Sequence, residues 1–391
     1  MALLIANPRE RRIVQLADLV SRPLRWLPAR RPPTPVRRVL LMRLERIGDL
    51  LMTLEAISDA RRAWPDATLD LAVGSWNEGL ARMVPGIHRV HTADLPWLSR
   101  GERPTSWSQL VHEARRWGRE SYDVVINLEP DIRTNALAWL TGAPVRMGYG
   151  NGGGQAFLTR VATYDPGRHV SENARNLVAH ASGAAVPSAA APGPRLAIPE
   201  HEQARAIARL GDAGRPWIGV HANGGRESKQ WHLDRFAAVA RALHAHTGGT
   251  IVLTGGEADA ALVGTVARAI ADVPHVSVVG HLSIPELGAL IGALDLFVTG
   301  DTGPMHIAGA VETPVVALFG PSDPARYGPR ARHERIVRVQ IPCSPCGMVR
   351  LPPERCRGHV PDCMDAITVE MVVSHARDLL ALTARERSRP S

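Results

Sequence analysis

The chain has 391 residues, 45% of them apolar and 21% charged, so it can bury two separate cores and is too apolar to be disordered. No apolar run reaches the length of a membrane span, and Pro8, Arg9 and Glu10 interrupt the short apolar start, which argues against a signal peptide and for a cytoplasmic chain, soluble or peripheral at the inner membrane. A formal charge of +8 suits anionic lipid, nucleic acid or a phosphorylated ligand; the basic residues are scattered and carry no helix-turn-helix, zinc-finger or RNA-binding signature, which argues against nucleic acid.

Residues 1–35 read as a basic amphipathic leader. Ile13, Leu16, Val20, Leu24 and Leu27 recur at helical spacing, with Arg11, Arg12, Arg22 and Arg25 elsewhere on the surface. Pro23 kinks or splits the segment, and residues 30–35 form a stiff linker. Such a leader either lies on an anionic membrane or packs onto its own domain.

From Val36 the chain alternates strand and helix. Strands are expected at 39–42, 69–73, 122–127 and 145–147, with helices at about 49–64, 109–118 and 134–140. The Ala-, Gly- and Pro-rich stretch 181–199 marks the interdomain linker. The rhythm then restarts. Strands are expected at 217–221, 250–254, 276–279, 295–299 and 315–319, the last closing the sheet. Helices are expected at 233–246 and 285–291, with another beginning at Met305. This pattern predicts an α/β chain of two Rossmann-like domains, 36–190 and 191–391, whose parallel sheets face a central cleft.

No G-x-G-x-x-G follows a strand. Gly150-Asn151-Gly152 comes nearest, but position 155 is glutamine. A P-loop is excluded because the only lysine precedes Gln230. Neither an NAD dehydrogenase nor a P-loop kinase is therefore expected. Two other loops suit phosphates. The first runs from His221 through Gly224 and Gly225 to Lys229, just before a helix. Of the 46 basic residues Lys229 alone is lysine, a compact ammonium that arginine does not copy. The second loop, Gly300-Asp301-Thr302-Gly303-Pro304-Met305-His306, ends at a helix N-terminus, where free N–H groups and the helix dipole favour an anion. Simple helix capping by Asp301 and Thr302 is the rival reading for that loop. Asp49, after Gly48 at the first strand-to-helix turn, reads equally as a cap or as a general base facing the cleft.

All four cysteines, Cys343, Cys346, Cys356 and Cys363, follow a C-x2-C-x9-C-x6-C spacing. Four thiols in one short segment point to a tetrahedral structural zinc site, or iron, rather than to two disulfides.

Residues 43–51 (RLERIGDLL), 65–67 (PDA), 122–128 (YDVVINL), 140–143 (LTGA), Lys229-x-Trp231, the 301–306 loop and 317–322 (ALFGPS) together resemble glycosyltransferase family 9, the lipopolysaccharide heptosyltransferases, over residues 36–375. The resemblance implies a GT-B fold and an inverting transfer from a nucleotide-sugar donor, ADP-heptose, to a lipopolysaccharide-core or other glycan acceptor. It implies Asp49 as catalytic base and Lys229 at the donor phosphates. Asp301, Thr302, Gly303 and His306 match the donor loop, and either Glu257 or Asp259 the acidic residue at the ribose. Some members carry a comparable cysteine-rich segment. Two rivals stand beside this reading: another sugar-nucleotide enzyme of the same fold, epimerase-like, and a non-catalytic nucleotide- or lipid-binding protein that uses the leader.

Overall fold

The computed structural model describes residues 3–5, 7–26, 33–98, 106–186, 196–349 and 352–387. The chain divides into two compact units, Met1–Pro194 and Arg195–Ser391.

The first unit holds six strands: β1 (Arg38–Arg43), β2 (Thr68–Val73), β3 (Arg89–Thr92), β4 (Val124–Asn127), β5 (Val145–Tyr149) and β6 (Arg160–Ala162). They pair in the order β3-β2-β1-β4-β5-β6, and every pairing is parallel. Leu41 of β1 stands in register with Leu71 of β2 on one side and Ile126 of β4 on the other. These central strands are unbroken apolar runs because helices cover both faces of the sheet.

The second unit repeats the plan with β7 (Trp217–His221), β8 (Thr250–Leu253), β9 (His275–Ser277), β10 (Leu296–Gly300), β11 (Val315–Leu318) and β12 (Glu334–Val337). Its order is β12-β11-β10-β7-β8-β9. Counted within each unit, both sheets are ordered 3-2-1-4-5-6, the doubly wound arrangement. The crevice for a ligand then opens where the strand order reverses, beyond the C-terminal ends of the first and fourth strands.

Three edge strands escape the sequence pattern. β3, β6 and β12 are largely exposed or half-buried, so they carry no apolar run. β12 pairs with β11, so the strand at 315–319 does not close the sheet. The single helix expected at 49–64 is two, Ile47–Leu51 and Leu54–Ala63. Thr53 marks the break, its hydroxyl donating to the Leu50 carbonyl at 2.7 Å.

Two helices outside the expected set complete the cores. Val170–Ser182 lies on Leu54–Ala63, where buried Arg175 pairs with Asp59 at 2.7 Å and Ser171 donates to Glu55 at 2.9 Å. Val369–Arg387 supplies Val372, Ala376 and Leu379 to the core around Trp231 and Phe236. The leader forms the helix Pro8–Ser21 and packs on the first unit. Leu27 and residues 30–32 of the expected leader and linker lie outside the described residues, as do 187–195 of the interdomain linker. Ala181 and Ser182 are still helical.

Candidate active site

In the first unit, β1 ends on Arg43 and β4 on Asn127, on either side of the reversal point. Asn127 turns the chain after β4. Its amide donates to the Glu129 carbonyl, to Thr134 at 2.9 Å and to Asn135 at 2.8 Å, all buried. That turn carries Glu129 under the loop after β1, where its carboxyl accepts the Leu44 N–H. Arg43 is buried, bonds the Leu128 carbonyl and faces Glu45 at 3.1 Å and Asp49 at 3.4 Å. Burial works against the Arg43 charge, but Glu45, Asp49 and Glu129 outweigh it and hold the guanidinium charged. Glu129 goes the other way. Burial first, then the charge of Glu45, push its carboxyl well above the usual range, against the pull of Arg43 and the Leu44 N–H.

Asp49 lies in the first turn of Ile47–Leu51. One oxygen accepts the Arg46 N–H at 3.2 Å and the other faces Arg43. The side chain keeps 29% of its surface exposed, so the capping role and an open face coexist. Arg43 and Glu129 were not singled out in the sequence. Their importance comes from a contact across 85 residues, and the one legible signal was a pair of charges directly after two apolar strand runs.

In the second unit, β7 leads into the glycine loop and β10 into the 301–306 loop, again at the reversal point. Gly224 is needed for space: a Cβ there would stand 2.5 Å from the Lys229 backbone. Gly225 is needed for conformation, with φ +69°. Gln230 closes the loop, accepting from Gly224 N at 2.9 Å and donating to the carbonyls of Ala222 and Trp231. The fold thus brings Lys229 to the second loop, where its ammonium donates to the Asp301 carbonyl and sits 3.2 Å from the Asp301 carboxylate. Thr302 is the N-cap residue of the helix Gly303–Ala310, but its hydroxyl makes no cap bond and meets Thr299 at 3.2 Å instead. Thr302 and His306 are buried, His306 in the first turn of that helix. His221, at the end of β7, has its pKa lowered by burial, against the charge of Asp259 and a bond with Thr254, so its ring is neutral at pH 7.

Glu257 and Asp259 separate clearly. Asp259 is engaged within the unit, accepting from Asn223 at 2.5 Å and from Gly256 N at 2.8 Å. Glu257 is exposed, and its side chain makes no hydrogen bond or ion pair among the described residues.

The four cysteines are free thiols lining one pocket with Ser228, Pro321, Met348 and Asp362. Burial, then the neighbouring Cys346, Cys343 and Cys356, push the Cys363 thiol up to about 11. Among the described residues no group of three or more His, Cys, Asp or Glu side chains stands close enough to hold a metal ion. The cysteine segment abuts the Lys229 loop: Ser228 donates to the Val349 carbonyl at 3.2 Å and Gly358 N to Glu227 at 2.9 Å.

Two parallel six-stranded units of this topology, with their charged loops at the reversal points, define the GT-B class of α/β enzymes. The chain belongs to glycosyltransferase family 9 (heptosyltransferase), whose family model matches residues 111–351. It is 27% identical over 285 residues to lipopolysaccharide heptosyltransferase 3 of Escherichia coli, covering 71% of this chain and 81% of that protein. A family 9 glycosyl transferase from Veillonella parvula superposes with a TM-score of 0.74 at 26% identity, over 88% of this chain and 97% of that one. The E. coli ADP-heptose lps heptosyltransferase II shares the fold at a TM-score of 0.73 and 19% identity, over 89% of this chain and 99% of that one. The chain is a glycosyltransferase, and the epimerase-like and non-catalytic alternatives are set aside.

Proposed function

We propose that this enzyme transfers heptose, with inversion, from ADP-heptose to a lipopolysaccharide-core acceptor on the cytoplasmic side of the membrane. The observation that carries the reading is the meeting of the sole lysine, Lys229, with Asp301 at the head of the helix Gly303–Ala310. A diphosphate laid there meets an ammonium, open backbone N–H groups and a helix N-terminus. The relative from E. coli named above supports the sugar and the acceptor.

The acceptor hydroxyl attacks the anomeric carbon as the bond to the diphosphate breaks. Charge building on the leaving phosphates is met by Lys229, by the Thr302 hydroxyl and by the N–H groups of Gly303 and Met305. His306 adds a ring N–H in the same turn. The exposed Glu257 takes a ribose hydroxyl, while Asp259 holds its own loop. The acceptor proton passes to Asp49, the carboxylate with an open face in the first unit. Arg43 fixes Asp49 in place.

The test is incubation with a panel of nucleotide sugars, following nucleotide release with and without a heptose-deficient core acceptor. Release from ADP-heptose alone among the panel, and only with acceptor, is expected. Acceptor-dependent release from a different nucleotide sugar would overturn the donor assignment.

A second reading concerns the cysteines. Four free thiols around one pocket have the donor chemistry of a zinc or iron clip, which would cross-link the segment 343–363. Four thiolates leave no open ligand position, so the clip is structural. Purified protein is expected to carry about one metal per chain, and chelation to lower the thermal midpoint. Metal-free protein of undiminished stability would refute it.

A further inference from the structure

The leader helix Pro8–Ser21 turns its apolar side away from the protein. Its inward face is set by Val14, Asp18 and Ser21, spaced at three and four residues, with Glu10 at the rim, 53% of its side chain exposed. Val14 and Ser21 are buried. Asp18 accepts the Gly154 N–H at 2.6 Å, and Glu10 lies 4.0 Å from Arg133. Gly153 makes room for the helix, because a Cβ there would stand 2.4 Å from Val14. The opposite face carries Ile13, Leu16, Leu19 and Val20, which are 68%, 63%, 54% and 73% exposed. Arg9 and Arg12 share that face, and Arg22 and Trp26, the latter 85% exposed, follow directly after it.

An ordinary surface helix would show the reverse pattern. Here both acids of residues 3–26, Glu10 and Asp18, are spent on the inward contacts. Arg11 bonds the Ile5 carbonyl and Arg25 bonds Gln155, whereas the guanidinium groups of Arg9, Arg12 and Arg22 have no partner among the described residues. The outward surface is therefore apolar at its centre, purely cationic at its edges, and closed by a tryptophan. A second copy of the same face would set arginine against arginine. No helix among the described residues is long and apolar enough to cross a membrane, and this one has 14 residues.

We infer that the face of Arg9, Arg12, Ile13, Leu16, Leu19, Val20 and Trp26 docks the enzyme on an anionic bilayer, with the helix lying in the membrane plane. The apolar side chains enter the acyl boundary, the guanidinium groups stay at the phosphate level, and the tryptophan sits at the interface. The choice of lipid as occupant rests on the proposed lipid-linked acceptor, which such docking brings within reach.

The test is cosedimentation of the full chain with vesicles of phosphatidylglycerol and phosphatidylethanolamine, against vesicles of phosphatidylcholine alone. Binding to the anionic vesicles, weakened by salt, is expected. Leu16→Ser with Val20→Ser should lower it by at least about tenfold. Arg9→Gln with Arg12→Gln should abolish the preference for anionic lipid. Both variants should keep the wild-type thermal midpoint and ADP affinity, since the changed side chains are exposed. Full-chain protein that ignores anionic vesicles, or an apolar variant that binds like wild type, would overturn the inference. So would a dimer in sedimentation that the apolar variant loses, because a second copy would then be the occupant. Turnover of a soluble, delipidated acceptor is measured alongside: its failure with intact vesicle binding would count against the proposed transfer and not against docking.

Discussion

The two reversal points of this chain share a strand order and differ in chemistry. Beyond β1 and β4 stand three carboxyls, Glu45, Asp49 and Glu129, around one buried arginine. Beyond β7 and β10 stand glycines, a lysine paired with the single carboxylate of Asp301, and a helix N-terminus. The fold supplies the same crevice twice, and the side chains decide what each can do. The first can accept a proton; the second can hold an anion.

That division is sharpest at Asp49. Asp49→Asn keeps the acceptor for the Arg46 N–H and removes the basic oxygen. Turnover with saturating acceptor should fall by at least about a hundredfold while the protein remains folded. Near-full activity would leave Asp49 as a cap alone.

The next effect separates the two acids of the second unit. Glu257→Gln should weaken ADP binding by roughly tenfold without loss of stability, as expected for a charge-assisted bond to a hydroxyl. Asp259→Ala should instead cost about 1 kcal/mol of stability, because it frees Asn223 and the Gly256 N–H. Urea melts and ADP titrations of both variants check the contrast, and the reverse pattern would exchange the roles.

The smallest effect lies at Glu129. The unfolded carboxyl gives up its proton near pH 4.3 or so, while the folded one keeps it to higher pH. The wild type therefore loses stability as pH rises from the unfolded value through the raised folded one. Glu129→Gln mimics the protonated acid and lacks that loss. At pH 5 it should lie within about 1 kcal/mol of wild type, and it should gain on the wild type toward pH 7. Parallel urea midpoints across that range would show Glu129 to be ionised in the folded protein.

The same comparison explains what the sequence could show. The central strands β1, β4, β7 and β10 are apolar runs between charged loops, so they and their loops were legible. Edge strands β3, β6 and β12 owe their conformation to a neighbour's hydrogen bonds, which leave no mark on the pattern. Asp49, Lys229 and Asp301 could be named from their places after strands, but the Lys229–Asp301 pair spans 72 residues and only the fold could bring it together. Arg43 and Glu129 went unnoticed for the same reason. Of the leader's two readings, packing onto its own domain is seen, and it leaves an apolar stripe outside.

The central claim is that one crevice holds the donor and the other removes the proton. Calorimetric titration of ADP-heptose into Asp49→Asn and Lys229→Ala, side by side with wild type, tests it most directly. Lys229→Ala loses a charge-assisted contact worth roughly 1.5–3 kcal/mol and should bind about ten to a hundred times more weakly, while Asp49→Asn should bind as wild type does. Equal weakening in both variants, or unchanged binding in Lys229→Ala, would contradict the account.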